Sequence, residues 1–186
     1  MPRLFTGLEI PDDVARDLAR ARGGLTGARW IDPADYHVTV RFIGAVDADV
    51  ARAIDASLLQ LQSPVFAFVI DRFAVFGHDK PHALVALVAR SAALSRLAAA
   101  HETEMRRLGL PPEKRVFTPH VTLARLSGAR APEVAAYLER LGSFPPRRVM
   151  AERATLFSAR PPRGGGPYVA EAFYPLSPAP TSSPRV

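Results

Sequence analysis

The stretch His37-Val38-Thr39-Val40 returns in the second half of the chain as His120-Val121-Thr122-Leu123. More returns around it in the same order. Gly44-Ala45 comes back as Gly128-Ala129, Val50-Ala51 as Val134-Ala135, and Pro64 as Pro145. Asp71-Arg72-Phe73-Ala74-Val75-Phe76 comes back as Glu152-Arg153-Ala154-Thr155-Leu156-Phe157. An internal repeat of this length implies two similar supersecondary units, about 3–76 and 83–157, that bury their apolar faces together.

Pattern fills in each unit. In the first, Arg3 to Glu9 reads as a strand, and Pro11 to Arg22 as a helix with Pro at its start and Asp12 and Asp13 in its first turn. Ala28 to Ile31 and Tyr36 to Ile43 are strand-like, Asp47 to Leu61 spaces Val50, Ile54, Leu58 and Leu61 helically, and Val65 to Phe76 is a long strand. The second unit gives a strand at Ala83 to Ala89, a helix at Ser91 to Leu108, a strand at His120 to Leu126, a helix at Pro132 to Leu141 and a strand at Val149 to Phe157. A last strand runs from Tyr168 to Tyr174. The expected fold is α+β and bilobed: two pseudo-symmetric lobes, each an antiparallel sheet with helices outside, facing a central cleft within one domain of residues 1–176. Pro161 to Gly166 reads as a flexible loop, and the Pro/Ser-rich end, 177–186, as a disordered tail.

Strand parity then places the polar residues. Side chains two apart share a face, so His37 and Thr39 point one way, and Val38 and Val40 the other, into the core. The same parity pairs His120 with Thr122 and sets Val121 and Leu123 behind them. One histidine on a strand is ordinarily a satisfied surface residue; two at equivalent places in a repeat point to chemistry. Imidazole titrates near neutral pH, so one ring can accept a proton while its twin donates one, and each threonine hydroxyl can hold a phosphate oxygen. The set fits in-line displacement at phosphorus without a metal. By parity Arg41 faces the same cleft, whereas Arg125, five residues after His120, reaches it only if the strand bulges or ends near Ala124.

Composition narrows the alternatives. With no cysteine, disulfides, thiolate metal sites and thiol nucleophiles are excluded. The net charge of +6 comes almost wholly from arginine, since Lys80 and Lys114 are the only lysines, which suits a nucleotide or nucleic-acid partner and equally suits arginine-rich codon usage. No apolar run is long enough to span a bilayer and no secretory signal pattern opens the chain, so the expectation is a cytoplasmic protein; a monomer is the default expectation, since the sequence carries no sign of oligomeric state. There is no G-x-S-x-G elbow and no Walker-type loop. Gly164-Gly165-Gly166 reads as a hairpin turn sooner than a phosphate loop. His78 and His82 flank Pro81 in a turn without a carboxylate cluster, so no metal and no cofactor is expected. His101, in an alanine-rich helix beside Glu102 and Glu104, is expected to face solvent. Trp30, Phe76, Phe117 and Phe157 are candidates to stack on a base, though aromatics on strands are more often core.

The paired H-x-T-x motifs, with Arg3-Leu4-Phe5, Ala28-Arg29-Trp30, Leu108-Gly109 and Phe117-Thr118-Pro119-His120-Val121-Thr122-Leu123-Ala124-Arg125, resemble the two-histidine phosphoesterases, and among them the LigT-like RNA 2′,3′-cyclic phosphodiesterases, historically called 2′-5′ RNA ligases. The resemblance runs from Arg3 to about Leu176. It implies hydrolysis of a terminal 2′,3′-cyclic phosphate on RNA or a nucleotide to a 2′-phosphomonoester, and in some members reversible 2′-5′ joining. His37 then answers to the proton donor, His120 to the proton acceptor, and Thr39, Thr122, Arg41 and Arg125 to the phosphate-binding groups. Two other readings stay open: a phosphodiesterase for another small cyclic phosphate, and a non-catalytic RNA-binding module.

Overall fold

A computed structural model describes residues 3–159 and 168–178. The first unit comprises β1 (Arg3–Glu9), α1 (Asp12–Ala19), β2 (Ala28–Trp30), β3 (His37–Ala45), α2 (Ala48–Leu59) and β4 (Phe66–Phe76). The second comprises β5 (Ala83–Val88), α3 (Ala92–Arg107), β6 (His120–Leu126), α4 (Ala131–Leu141), β7 (Arg147–Ala151) and β8 (Arg153–Ala159), and β9 (Tyr168–Pro175) follows. Local chemistry explains the boundaries. Asp47 and Ser91 accept hydrogen bonds from Val50 N and Leu94 N, capping α2 and α3. Gly44 and Gly128, equivalent in the repeat, both take positive φ where the chain leaves β3 and β6, a conformation that favours glycine.

The strands lie in the order β7-β4-β5-β6-β3-β1-β8-β9, with β2 beside β6, and every pairing between named strands is antiparallel. The sequence pattern did not say which strands cross between halves. Here β4 leaves the first unit to pair with β5, and β8 leaves the second to pair with β1. Each half of the sheet is thus built from both halves of the chain. At the centre the halves meet through one residue pair, Val38 opposite Val121. Both side chains are fully buried, as are Leu84, Val85 and Ala86 of β5 and Leu123 and Ala124 of β6. Among the described residues no helix is long and apolar enough to cross a membrane.

Two expectations about strand and tail boundaries change. The strand expected over Val149 to Phe157 is two strands: β7 pairs with β4, then the chain crosses the sheet at Glu152, whose carbonyl accepts Leu176 N at 2.7 Å, and β8 pairs with β1. Ser177, expected in the tail, is held by its N–H to Ser63 O and its carbonyl to Val65 N, both at 2.8 Å. The Pro161–Gly166 loop and residues 179–186 lie outside the described residues.

His101 does not face solvent. It is 2% exposed, with Nδ1 2.9 Å from Thr6 Oγ1, because α3 turns this face onto β1 and β3 while Glu102 and Glu104 remain at its edge. Burial lowers its pKa to about 4. A buried neutral histidine binds fewer protons than it does in the unfolded chain, so its contribution is complete above pH 6.5 and is lost as the pH falls toward 4. His101→Gln keeps a partner for Thr6 but cannot titrate. Urea unfolding should therefore show the variant losing less stability than wild type between pH 7 and pH 4.5, by about 2–3 kcal/mol. Equal losses in the two proteins would remove His101 from the acid response.

Candidate active site

The antiparallel register around Val38 and Val121 sets His37 across from Thr122 and Thr39 across from His120. Because the two valines point into the core, these four side chains point the other way, into a cavity of about 1090 Å³ that all four line. The expected pairing of two H-x-T motifs on one face is what the structure contains.

Both imidazoles are anchored alike. His37 Nδ1 lies 2.8 Å from Asp35 O, and His120 Nδ1 lies 2.6 Å from Thr118 O. A carbonyl can only accept, so Nδ1 carries the proton in each ring and the neutral ring keeps a free lone pair on Nε2. In His37 that nitrogen is 3.2 Å from Thr39 Oγ1, whose hydroxyl donates to it. The surroundings differ. Phe5, Phe157 and Tyr168 enclose His37 with centroid distances of 4.8, 5.5 and 4.9 Å, whereas His120 meets Phe76 edge-on at 4.7 Å. Burial, opposed by the bond to Asp35 and helped by the charges of His120 and Arg125, lowers the His37 pKa to about 4. Burial also lowers that of His120, with Thr118 opposing and Arg125 and Arg115 assisting.

A repeated backbone irregularity decides where the arginines go. In β3 the partners run from Gly7↔Thr39 to Thr6↔Arg41, leaving Val40 as an extra residue. In β6 they run from Val85↔Thr122 to Leu84↔Ala124, leaving Leu123 as one. Each bulge falls three residues after its histidine and reverses the parity beyond it. Arg125 is thereby returned to the cavity, as the expectation of a bulge near Ala124 required. Arg41 lines the same cavity, as expected, but its guanidinium is held by protein groups. An unbroken strand would aim it with His37, but the bulge sets it opposite Thr6, on the side facing α3. It is 7% exposed, its Nε binds the Glu102 carboxylate, and its Nη groups bind Phe42 O and Pro111 O, the latter at 2.6 Å. Phe42, the counterpart of Arg125, also lines the cavity, with the Arg3 guanidinium 5.2 Å from its ring centroid.

Of the aromatic candidates, Phe76 and Phe117 line the cavity, Phe157 is buried under His37 and stacked on Phe5, and Trp30 packs toward Tyr137 in the core. Sequence reasoning missed Phe5, Phe42, Tyr168, Arg3, Arg115 and His82, all at the cavity wall. Only Arg3 and Phe5 stood within a quoted motif, and nothing in pattern assigned them a function. Among the described residues no group of three His, Cys, Asp or Glu side chains is arranged to hold a metal ion.

Known proteins resemble this chain in sequence and in fold. The family model described as LigT like Phosphoesterase matches it twice, over residues 8–86 and 87–168. A Bacillus subtilis protein named RNA 2′,3′-cyclic phosphodiesterase is 32% identical over 130 residues, 67% of this chain and 71% of that protein. A protein of the same name from Aeropyrum pernix is 33% identical over 132 residues, 67% and 75%. Among solved structures, a Thermus thermophilus protein superposes with a TM-score of 0.78 at 19% identity, covering 94% of this chain and 97% of that one. E. coli LigT in complex with 3′-AMP superposes at 0.75 and 20% identity, covering 95% and 99%. At these identities the superpositions speak for the fold alone.

Two neutral imidazoles facing one cavity have a measurable consequence. An anion placed between them raises their pKa values, so binding takes up protons and tightens as pH falls. Sulfate, which does not titrate between about pH 5 and pH 8, isolates this linkage from the ligand's own protons. Calorimetry in buffers of different ionisation enthalpy should show proton uptake on sulfate binding, and His37→Gln should reduce it. Binding without proton exchange would mean that the rings are already charged.

Proposed function

The chain belongs to the LigT-like phosphoesterases, and on that premise we propose that it is an RNA 2′,3′-cyclic phosphodiesterase whose acid and base are His37 and His120. The observation that carries this reading is the matched anchoring of the two rings, each Nδ1–H on a backbone carbonyl, which leaves each Nε2 as the nitrogen for proton transfer in rings that line one cavity. A phosphate-binding module needs cations and hydroxyls. It does not need two tautomer-locked imidazoles.

In the proposed reaction the cyclic phosphate lies between the rings, with Thr39, Thr122 and Arg125 toward its oxygens. Water attacks phosphorus as His120 Nε2 removes its proton. The P–O3′ bond breaks, its electron pair leaves with O3′, and protonated His37 delivers a proton there. The product is a 2′-phosphomonoester with a free 3′-hydroxyl, and proton exchange with solvent resets the pair. Burial suits His37 to the donor's part, since the ring that is harder to protonate is, once protonated, the stronger acid. If a 5′-hydroxyl RNA end replaces water, the same exchange forms a 2′-5′ linkage, so joining is a second expected activity. Arg41, assigned to phosphate by resemblance, has no place in this scheme because its guanidinium is committed to protein acceptors.

The test is incubation with oligonucleotides ending in a 2′,3′-cyclic phosphate, with and without a 5′-hydroxyl acceptor, and identification of the phosphate position in the product. A 2′-phosphate is expected, a 3′-phosphate would contradict the scheme, and cyclic mononucleotides report whether RNA is required. Turnover should persist in excess chelator, because the imidazoles supply the proton transfers that a metal-bound hydroxide replaces elsewhere; loss in chelator with rescue by a divalent ion would refute that.

Substitution separates the two rings. His37→Ala and His120→Ala should each lower turnover by about 10²-fold or more. An alkoxide is a poor leaving group but a thiolate departs readily, so a 3′-thio cyclic substrate should restore much of the rate of His37→Ala and little of that of His120→Ala. Rescue in the other variant would reverse the assignment.

A further inference from the structure

We propose that Arg41 is a positioning residue for His120: together with Glu102 it clasps the loop between α3 and β6, and so holds the carbonyl that orients the second histidine. The inference rests on the reading of His120 as the proton acceptor.

The connection from α3 to β6 runs from 108 to 119 and has no regular structure between Pro111 and Thr118. Thr118 O, which accepts the His120 Nδ1 proton, lies within it. The far end is fixed where Pro119 O accepts Val88 N at 3.1 Å. At the near end, Arg41 Nη2 donates to Pro111 O at 2.6 Å, and Glu102 Oε1 accepts Glu113 N at 3.2 Å. Arg41 and Glu102 are themselves ion-paired, so the two ties act as one clasp reaching from the strand of His37 across to the approach of His120. The Glu113 carboxylate continues it, receiving Arg115 N at 3.1 Å and the Arg115 guanidinium at 3.2 Å.

Pseudo-symmetry explains why one half has this device and the other does not. His37 takes its acceptor, Asp35 O, from a short 3₁₀ turn capped by Asp32, and the Asp35 carboxylate also accepts Tyr168 N at 3.0 Å. That tight turn is held by its own cap and by the one bond from Tyr168. His120 takes its acceptor from the long loop that the clasp holds. The second-half counterpart of Arg41 is Ala124, a residue with no polar group to offer. Arginine fits the task because a fork can bind a carboxylate and two carbonyls at once, which an ammonium on a flexible stem does not.

The experiment compares Arg41→Lys, Arg41→Met and Glu102→Gln, separately and as Arg41→Met/Glu102→Gln. Three quantities are measured: kcat on the cyclic phosphate, the Kd of inorganic phosphate, and the protonated nitrogen of each histidine by nitrogen NMR. A clasp predicts that each variant lowers kcat by about tenfold or more, since small misplacements of a reacting group carry such losses, with phosphate affinity changed by less than about threefold. The Nδ1–H fraction of His120 should fall while that of His37 stays, and the double variant should be little worse than the poorer single one, as for two parts of one contact. The proposal is overturned if Arg41→Met weakens phosphate by about tenfold or more while the His120 tautomer is unchanged, the result expected of a direct phosphate ligand. Should the Met variant not fold, the Lys and Gln variants, which keep most of the buried volume, give the same readouts. Phosphate titration and NMR need no turnover, so they judge the clasp even where an inactive wild type would sink the functional reading.

Discussion

The site depends on one backbone contact, the antiparallel pairing of Val38 with Val121. Among the described residues it is the single pair that joins β3 to β6, and both valines are fully buried. Alternation along each strand then leaves the flanking residues no choice: if the valines enter the core, the histidine before and the threonine after each must emerge on the opposite face. The antiparallel sense crosses the set, bringing His37 toward Thr122 and His120 toward Thr39. A slip of one residue would bury both imidazoles and expose both valines, so the apolar core fixes the register of the polar site.

The exchange of strands between halves holds that contact in place. Because β4 pairs with β5 and β8 with β1, neither half can close its sheet without the other half of the chain. A molecule held only at Val38 and Val121 would hinge there. With β4 and β8 crossing in opposite directions, the two halves are tied on either side of the contact. The repeat equates these strands through Asp71 to Phe76 and Glu152 to Phe157, and the structure uses each to supply the aromatic ring that meets a histidine, Phe76 at His120 and Phe157 at His37.

How far the sequence was legible follows from which rules are local. The repeat, most strand and helix positions and the parity of His37, Thr39, His120 and Thr122 all come from periodicities within a few residues, and they agree with the structure. Arg41 does line the cavity, but its hold on Glu102 and Pro111 was not legible, because a bulge inserts one residue and shifts every position beyond it, and Val40 and Leu123 carry no glycine or other local mark of one. The matching bulge in β6, named from the sequence as the condition for Arg125, brings Arg125 to the cavity. His101 was misread because its helix is alanine-rich on several sides, and which side is buried depends on Thr6 across a separation of 95 residues. The break at Glu152 was hidden for a similar reason, since an extended chain looks alike whether it stays in one half of the sheet or crosses to the other.

Near-equivalent sequences carry inequivalent histidines, and the reason lies in what the repeat did not copy. By strand pairing, Phe5 corresponds to Ala83 and Phe42 to Arg125, so His37 sits among rings where His120 has one ring and a nearby cation. Both environments disfavour the imidazolium, in each case chiefly by removing water and further through the charge of Arg125. In both rings burial favours the neutral form, which can accept a proton. An anionic phosphate reverses that balance, because its charge favours an imidazolium and the pair can then share one proton between them. In the proposed reaction the two rings must differ, and the extra rings around His37 supply a difference: on that reading a protonated His37 has the greater tendency to release its proton to a departing oxygen, while His120, anchored through its loop, keeps a lone pair for water.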